Sequence, residues 1–374
     1  MLWARGVARP LVPDFAASAD PSVSFDGTRI LFAAKRTKTD RWSIWEIAAA
    51  GGRPRPVTTG DGDCFRPIYL PLQKLAYARR TAAGTHIEVA PLAGGRASRL
   101  TFAPGTFMPA AVLRDGRILF EAGDLFTVYT DGSGVESYRC DHGPVRFAAA
   151  QLSSGDIVFQ TAKGLARFTS ARSVQLDVAM PAGEFAGPVA EWAGRWLAAC
   201  RTAADSRGLC SVSPDSSQPA TVIVKGNAWQ PAPIVPRPVP PYHPSSLGEG
   251  AGARLLSLNA YDSKSGPLAP GSIAKVRLWS LDAAERAIAL GESPVEADGS
   301  FFVQVPGDRP LRWELLDRTG RSLRASNRWF WTRNGEQRVC VGCHTGPERA
   351  PDNIAPRVLD RTQTAQPIGM GGAK

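Results

Sequence analysis

The chain has 374 residues, 43% hydrophobic and 21% charged, an ordinary globular balance that fits two domains and excludes a disordered chain. Its formal charge is +10, yet the basic residues are dispersed with no Lys/Arg-rich run, which excludes a clustered nucleic-acid footprint. No stretch is apolar for long enough to cross a bilayer as a helix.

The first residues, "LWARGVARPLVP", lack the apolar run of a signal peptide and read as the second half of a β unit with no first half before it. A pattern then recurs: proline or a small residue, an apolar strand, a turn, a second strand. It begins as "DPSVSFDGTRILFAAKR" at Asp20 and "FRPIYLPLQKLAYARRT" at Phe65. It returns as "FMPAAVLRDGRILFEAG" at Phe107, "VRFAAAQLSSGDIVFQTAKG" at Val145 and "FAGPVAEWAGRWLAACR" at Phe185. A weaker copy, "WQPAPIVPRP", starts at Trp229. Copies lie roughly 40–45 residues apart, the length of a four-stranded propeller blade. Asp-Gly and Gly-Gly turns between the strands agree with hairpins. The expected fold is therefore all-β, with a six-bladed β-propeller over residues 1–262. The N-terminal half-unit would join the sixth copy and "ARLLSLNAYDS" to close the ring. Pro236–Ala253, "PRPVPPYHPSSLGEGAGA", is too rich in proline and glycine for a central strand and reads as a surface excursion within or beside the last blade.

Of the six cysteines, Cys200 and Cys210 flank a hairpin, where a disulfide and two buried thiols are the alternatives. Cys64 and Cys140 lie on different repeats and sequence does not pair them.

Residues 263–374 leave the repeat. "KVRLWSL", "AIALGESPVEADGSFFVQVPG" and "PLRWELLDRTGRSLRAS" alternate as short strands around an Asp298-Gly299 turn and predict a small β-sandwich. In "RWFWTR", Trp329 and Trp331 share one strand face and Phe330 takes the other, as core residues or as an aromatic wall. Next comes C-x-x-C-H. Two thiols at this spacing meet the two vinyl groups of a haem, and the following imidazole reaches the iron. One covalent haem c is expected on Cys340 and Cys343, with His344 as iron ligand. A zinc site would want two more ligands nearby, and a redox dithiol a βαβ context; neither is present. The sixth ligand stays open among Met370, His86, His142, His243, Met108 and Met180, with His243 first because it lies in the long loop. The tail after Ala350 reads as loose.

Two groups of residues resemble known families. "PSVSFDGTRILFAAKR" and "GGRPRPVTTGDGD" resemble the TolB-type repeats of periplasmic proteins. "VEADGSFFVQVP", "RPLRWELLD" and "RNGEQRVCVGCH" resemble the middle domain of the hydrazine synthase alpha subunit and its wider family of haem-bearing relatives. The resemblance implies a periplasmic location, a six-bladed propeller followed by a β domain, and a haem on Cys340, Cys343 and His344. In the family's enzyme this haem is where N–N bond chemistry takes place. One departure stands out: the family's catalytic subunit is associated with a tyrosine just after the motif, and "HTGPERAP" has none.

The expected function is a periplasmic monohaem c-type cytochrome subunit, passing electrons within a larger redox complex to acidic partner proteins that suit its positive charge. The alternatives are a haem enzyme subunit acting on small nitrogen species, with Asp61, Asp63 or His142 as proton donors, and a propeller-based assembly or binding subunit.

Overall fold

Strand pairing in the computed structural model groups residues 17–224 into five consecutive four-stranded antiparallel sheets. The structure describes residues 1–4, 6–139, 145–168, 177–179, 183–203, 206–213, 220–226, 228–263, 265–342 and 353–370. The sheets start at Ala17–Val23, Asp63–Leu70, Met108–Val112, Phe147–Gln151 and Phe185–Trp192, one for each repeat seen in the sequence. Each first strand breaks register at a bulge near its proline or small residue. Those bulges face one central channel, ringed by Pro21, Pro67, Pro109, Pro188 and Pro231.

Neighbouring sheets pack face to face through apolar clusters. Leu31 and Ile44 meet Tyr69 and Leu75 between the first two sheets, with Cys64 in the same core. Leu119 and Leu125 meet Phe159 and Phe168 between the third and fourth. Burial holds the Cys64 thiol above its usual range, so it is an inert core residue. Cys140 lies outside the described residues.

The sixth unit differs from expectation. Gln230 and Pro231 occupy the sixth place around the channel, but residues 228–250 contain no strand. "ARLLS" is a strand, Ala253–Ser257, yet it pairs with Phe301–Val305 and Gln337–Cys340 of the second domain. Strand pairing thus puts Ala253–Ser257 in a sheet with strands of residues 263–374 rather than in a sixth blade. The N-terminal residues form their own hairpin, Leu2–Ala4 with Val7–Arg9. Both ends of the repeat region still meet at this place: Leu11, Val12, Phe15 and Ala232 together cover the outer face of the first sheet.

The proline-rich excursion is a strap across the first three sheets rather than part of a last blade. Arg237 N donates to Phe25 O at 2.8 Å in the first sheet. The Lys74 ammonium of the second sheet lies over the Tyr242 ring. Ser245 Oγ donates to Asp131 Oδ2 at 2.8 Å in the third. The strap enters the second domain where Gly248 N donates to Gly335 O at 2.9 Å. A side chain at Gly335 would run into the Gly248 carbonyl, so glycine is required there.

The second domain is the expected sandwich. Its two four-stranded sheets enclose Leu255, Leu278, Val303 and Leu311. The tail is ordered where described: Arg357–Arg361 is a short helix, Gln366–Pro367 adds a strand, and Val358, Ala365 and Ile368 are buried. No described helix is long and apolar enough to cross a membrane.

Cys200 and Cys210 form a disulfide across two paired strands of the fifth sheet. Replacing both by serine should lower stability by about 2–3 kcal/mol, the loop-closure value for a short loop. Urea unfolding would show this as a lower midpoint at an unchanged slope.

Candidate functional site

The segment leading to the haem motif is built into both domains. Phe330 pairs backbone to backbone with Leu311 and packs in the sandwich core. Trp331 points the opposite way, into the cluster between the second and third propeller sheets. Its ring meets Phe107 edge-on at 5.6 Å. Trp329 packs on the same cluster, under the Arg312 guanidinium. The alternation expected from the sequence holds, and these aromatics serve as a bolt between the domains.

A polar clasp follows. Arg333 Nη1 donates to Asp131 O at 2.6 Å on the propeller, while its Nε donates to Asp308 Oδ1 at 2.5 Å in the sandwich. The buried Glu336 carboxylate accepts from Gly134 N of the third sheet at 3.1 Å and from Arg333 N at 2.7 Å. It also takes the Arg338 guanidinium, at 2.6 Å. This satisfies a charge that would be costly to bury alone.

Cys340 then ends the edge strand Gln337–Cys340, parallel to Ala253–Ser257 and opposite Ser257. Leu258 N donates to Cys340 O at 2.9 Å, which fixes the backbone at the motif's first residue. Among the described residues the Cys340 thiol forms no disulfide. Burial pushes it up, Arg338 pulls it partly back, and Glu336 adds to the rise. Cys343 and His344 lie outside the described residues. So the structure places one of the three predicted haem-binding residues, at the end of a strand whose start is clasped to the propeller.

Three of the six candidate sixth ligands, His243, Met370 and His86, hold contacts of their own. His243 Nε2 donates to the Asp115 carbonyl and its ring meets Tyr129 edge-on at 5.1 Å. Met370 packs against Gly252, beside the opposite end of the strand Ala253–Ser257. At about 3.3 Å per residue, that is roughly 16 Å along the strand from Ser257. Met108 opens the first strand of the third sheet, half-buried. His142 and Met180 are outside the described residues. Of the proton-donor candidates, Asp63 accepts from Trp42 N at 2.9 Å and Arg80 Nη2 at 2.8 Å. Burial pushes its carboxyl up, but these two partners outweigh it and hold it below the usual range. It is therefore a poor acid at neutral pH. Asp61 is fully exposed beside Arg41.

His86 belongs to a separate polar cluster. The Glu88 carboxylate takes Tyr77 OH at 2.6 Å, Arg79 Nε at 2.8 Å and His86 Nε2 at 3.0 Å. Burial pushes Glu88 up, but His86, Tyr77 and Arg79 outweigh it and bring its pKa to about 2. A lowered carboxyl stabilises the fold above its unfolded value, 4.5, and loses that contribution as pH falls through about 2. Glu88→Gln should therefore flatten the acid limb of the stability curve between those two values. The expected loss at neutral pH is about 2 kcal/mol after solvent screening. An unchanged acid limb in urea titrations would refute it.

Sequence reasoning missed the clasp and the polar lining of the channel, where Asp20, Arg66, Glu121 and Gln230 converge. The channel had a signal: the dipeptides Asp20-Pro21, Arg66-Pro67, Gly187-Pro188 and Gln230-Pro231 recur at one place in the repeat. The clasp had none.

Residues 262–345 match the family model of the hydrazine synthase alpha subunit middle domain, and the match includes all of C-x-x-C-H. Hydrazine synthase subunit alpha of Kuenenia stuttgartiensis is 31% identical over 100 residues, covering 27% of this chain and 10% of that protein. The solved hydrazine synthase of Kuenenia stuttgartiensis superposes with a TM-score of 0.82 at 16% identity, over 94% of this chain and 66% of that one. TolB from Acinetobacter baumannii, at 14% identity, covers 55% of this chain and 56% of its own with a TM-score of 0.45. The chain is thus hydrazine synthase alpha-like in its second domain and shares the fold of hydrazine synthase across almost its whole length.

Proposed function

We propose that this chain is a haem-bearing subunit of a multi-subunit periplasmic redox complex, acting on a small nitrogen species in the manner of the hydrazine synthase alpha subunit. One observation carries the reading. The matched domain ends on C-x-x-C-H, and its first thiol, Cys340, is free at the end of a clasped strand. The donor set suits haem c: Cys340 and Cys343 would hold the porphyrin and His344 the iron. Bound haem would supply a one-electron iron centre with a place for a small ligand. The chain's own part is positional. Arg333 and Glu336 tie the motif's strand to the propeller, and the Leu258 N–H sets the Cys340 backbone. The disulfide Cys200–Cys210 agrees with an oxidising compartment outside the cytoplasm.

Electron transfer, the first expectation from sequence, calls for a six-coordinate iron. Met370 packs at the far end of the neighbouring strand, and His243 and His86 hold hydrogen bonds of their own, which supports an open position and hence catalysis. The test is the visible spectrum of protein matured in a periplasm, ferric and reduced, with and without carbon monoxide. A high-spin spectrum that shifts with carbon monoxide is expected. Sharp reduced bands that carbon monoxide leaves in place would restore electron transfer. No haem bands after maturation would leave a propeller-based binding or assembly subunit.

A further inference from the structure

Each of the five sheets is joined to the next by an apolar cluster, but the ring must also close from the fifth sheet back to the first. Among the described residues no shared sheet does this: the N-terminal hairpin pairs only with itself, and residues 228–250 pair as no strand. Ala228 N donates to Arg207 O of the fifth sheet at 3.1 Å. Two residues on, at the channel wall, Gln230 meets the first sheet in a reciprocal pair. Asp20 N donates to Gln230 Oε1 at 2.9 Å, and Gln230 Nε2 donates to Asp20 Oδ1 at 2.6 Å.

The chain of contacts then continues around the axis. Asp20 Oδ2 accepts from Arg66 N of the second sheet at 3.0 Å. Arg66 pairs with Glu121 of the third sheet at 2.9 Å. Glu121 Oε1 accepts from Ala149 N of the fourth at 3.2 Å. Asp20, Arg66 and Gln230 hold this arrangement at positive φ (53°, 46° and 50°) although none is glycine and each precedes proline. Left-handed backbone is costly for such residues, so it persists where surrounding contacts over-determine it.

We propose that the propeller ring is closed by this polar girdle, with the Gln230–Asp20 pair as its latch, so that the seam between the fifth and first sheets is the joint that opens first. The strap that leaves Gln230 crosses three sheets and enters the haem-motif domain at Gly335, so the latch also anchors one end of the link between the domains. The inference does not depend on haem.

Native-state hydrogen exchange on the full chain tests it. Gln230→Ala and Gln230→Glu should each speed exchange at residues 11–15 and 228–237 about tenfold or more, leaving the cores of the second to fourth sheets near wild type. The second of these sets two carboxylates side by side. Adding Asp20→Asn to Gln230→Glu exchanges amide and carboxylate across the pair and keeps both hydrogen bonds and the acceptor for Arg66 N. That double variant should return seam exchange to within about threefold of wild type. Gln160→Ala removes a comparable bond, to Gly187 O at 3.2 Å, where an apolar cluster already joins the fourth and fifth sheets; it should not open the seam. Unchanged seam exchange in the single variants would overturn the proposal. So would acceleration spread evenly over all sheets, or a double variant that fails to restore protection.

Discussion

Replacing Cys340 and Cys343 together by alanine will give a folded chain with no covalently held haem. The expectation rests on how little else Cys340 does. Its thiol makes no disulfide among the described residues, it is the last residue of an edge strand, and its backbone contacts do not need the side chain. Loss of the sulfur therefore costs about 1 kcal/mol of packing, too little to unfold a domain. The propeller lies on the other side of the Arg333–Glu336 clasp and should keep its stability. Protein matured in a periplasm should carry haem that survives denaturation, and the double variant should carry none, while circular dichroism of the two stays alike. His344→Ala should retain covalent haem, since both thiols remain, but with an altered ferric spectrum. Haem that survives denaturation in the double cysteine variant would refute the assignment.

The propeller repeats were legible because each hairpin carries its own turn chemistry. Asp26-Gly27 and Asp115-Gly116 announce turns, and the flanking apolar alternation announces strands. What a strand pairs with is not local. "ARLLS" has the period of a strand in either domain, so its place in the sandwich beside Gln337–Cys340 was invisible, and with it the fate of the sixth blade. The proline-rich stretch was legible as non-strand, because proline lacks the ladder donor, but not as a strap over three sheets. The tail looked loose because its buried residues, Val358, Ala365 and Ile368, are sparse among polar ones; Ser300 and Asp298 tie it down through its backbone N–H groups. The motif C-x-x-C-H was readable from chemistry alone. The clasp that steadies it joins Gly134 to Glu336 across 202 residues, and no spacing rule reaches that far.

Trp331→Ala should be the most damaging single substitution at the domain junction, costing about 3–5 kcal/mol. Trp331 is 2% exposed and lies between Phe107 and Phe120, so the second domain supplies a core residue to the first. The surrounding strands of the second and third sheets are rigid and cannot collapse fully into the space left behind. The neighbouring Trp329 is only partly buried, and its alanine variant should cost about 1 kcal/mol. Trp331→Phe separates packing from polarity. The indole Nε1 is buried with no hydrogen-bond partner among the described residues, so phenylalanine loses no bond and relieves an unsatisfied donor. It should therefore cost about 1 kcal/mol, far less than alanine. With the bolt removed, the propeller and the sandwich should unfold in separate steps, seen as non-coincident urea transitions by circular dichroism and by haem absorbance. Coincident transitions with a loss below about 1 kcal/mol in Trp331→Ala would mean that the clasp alone holds the domains together.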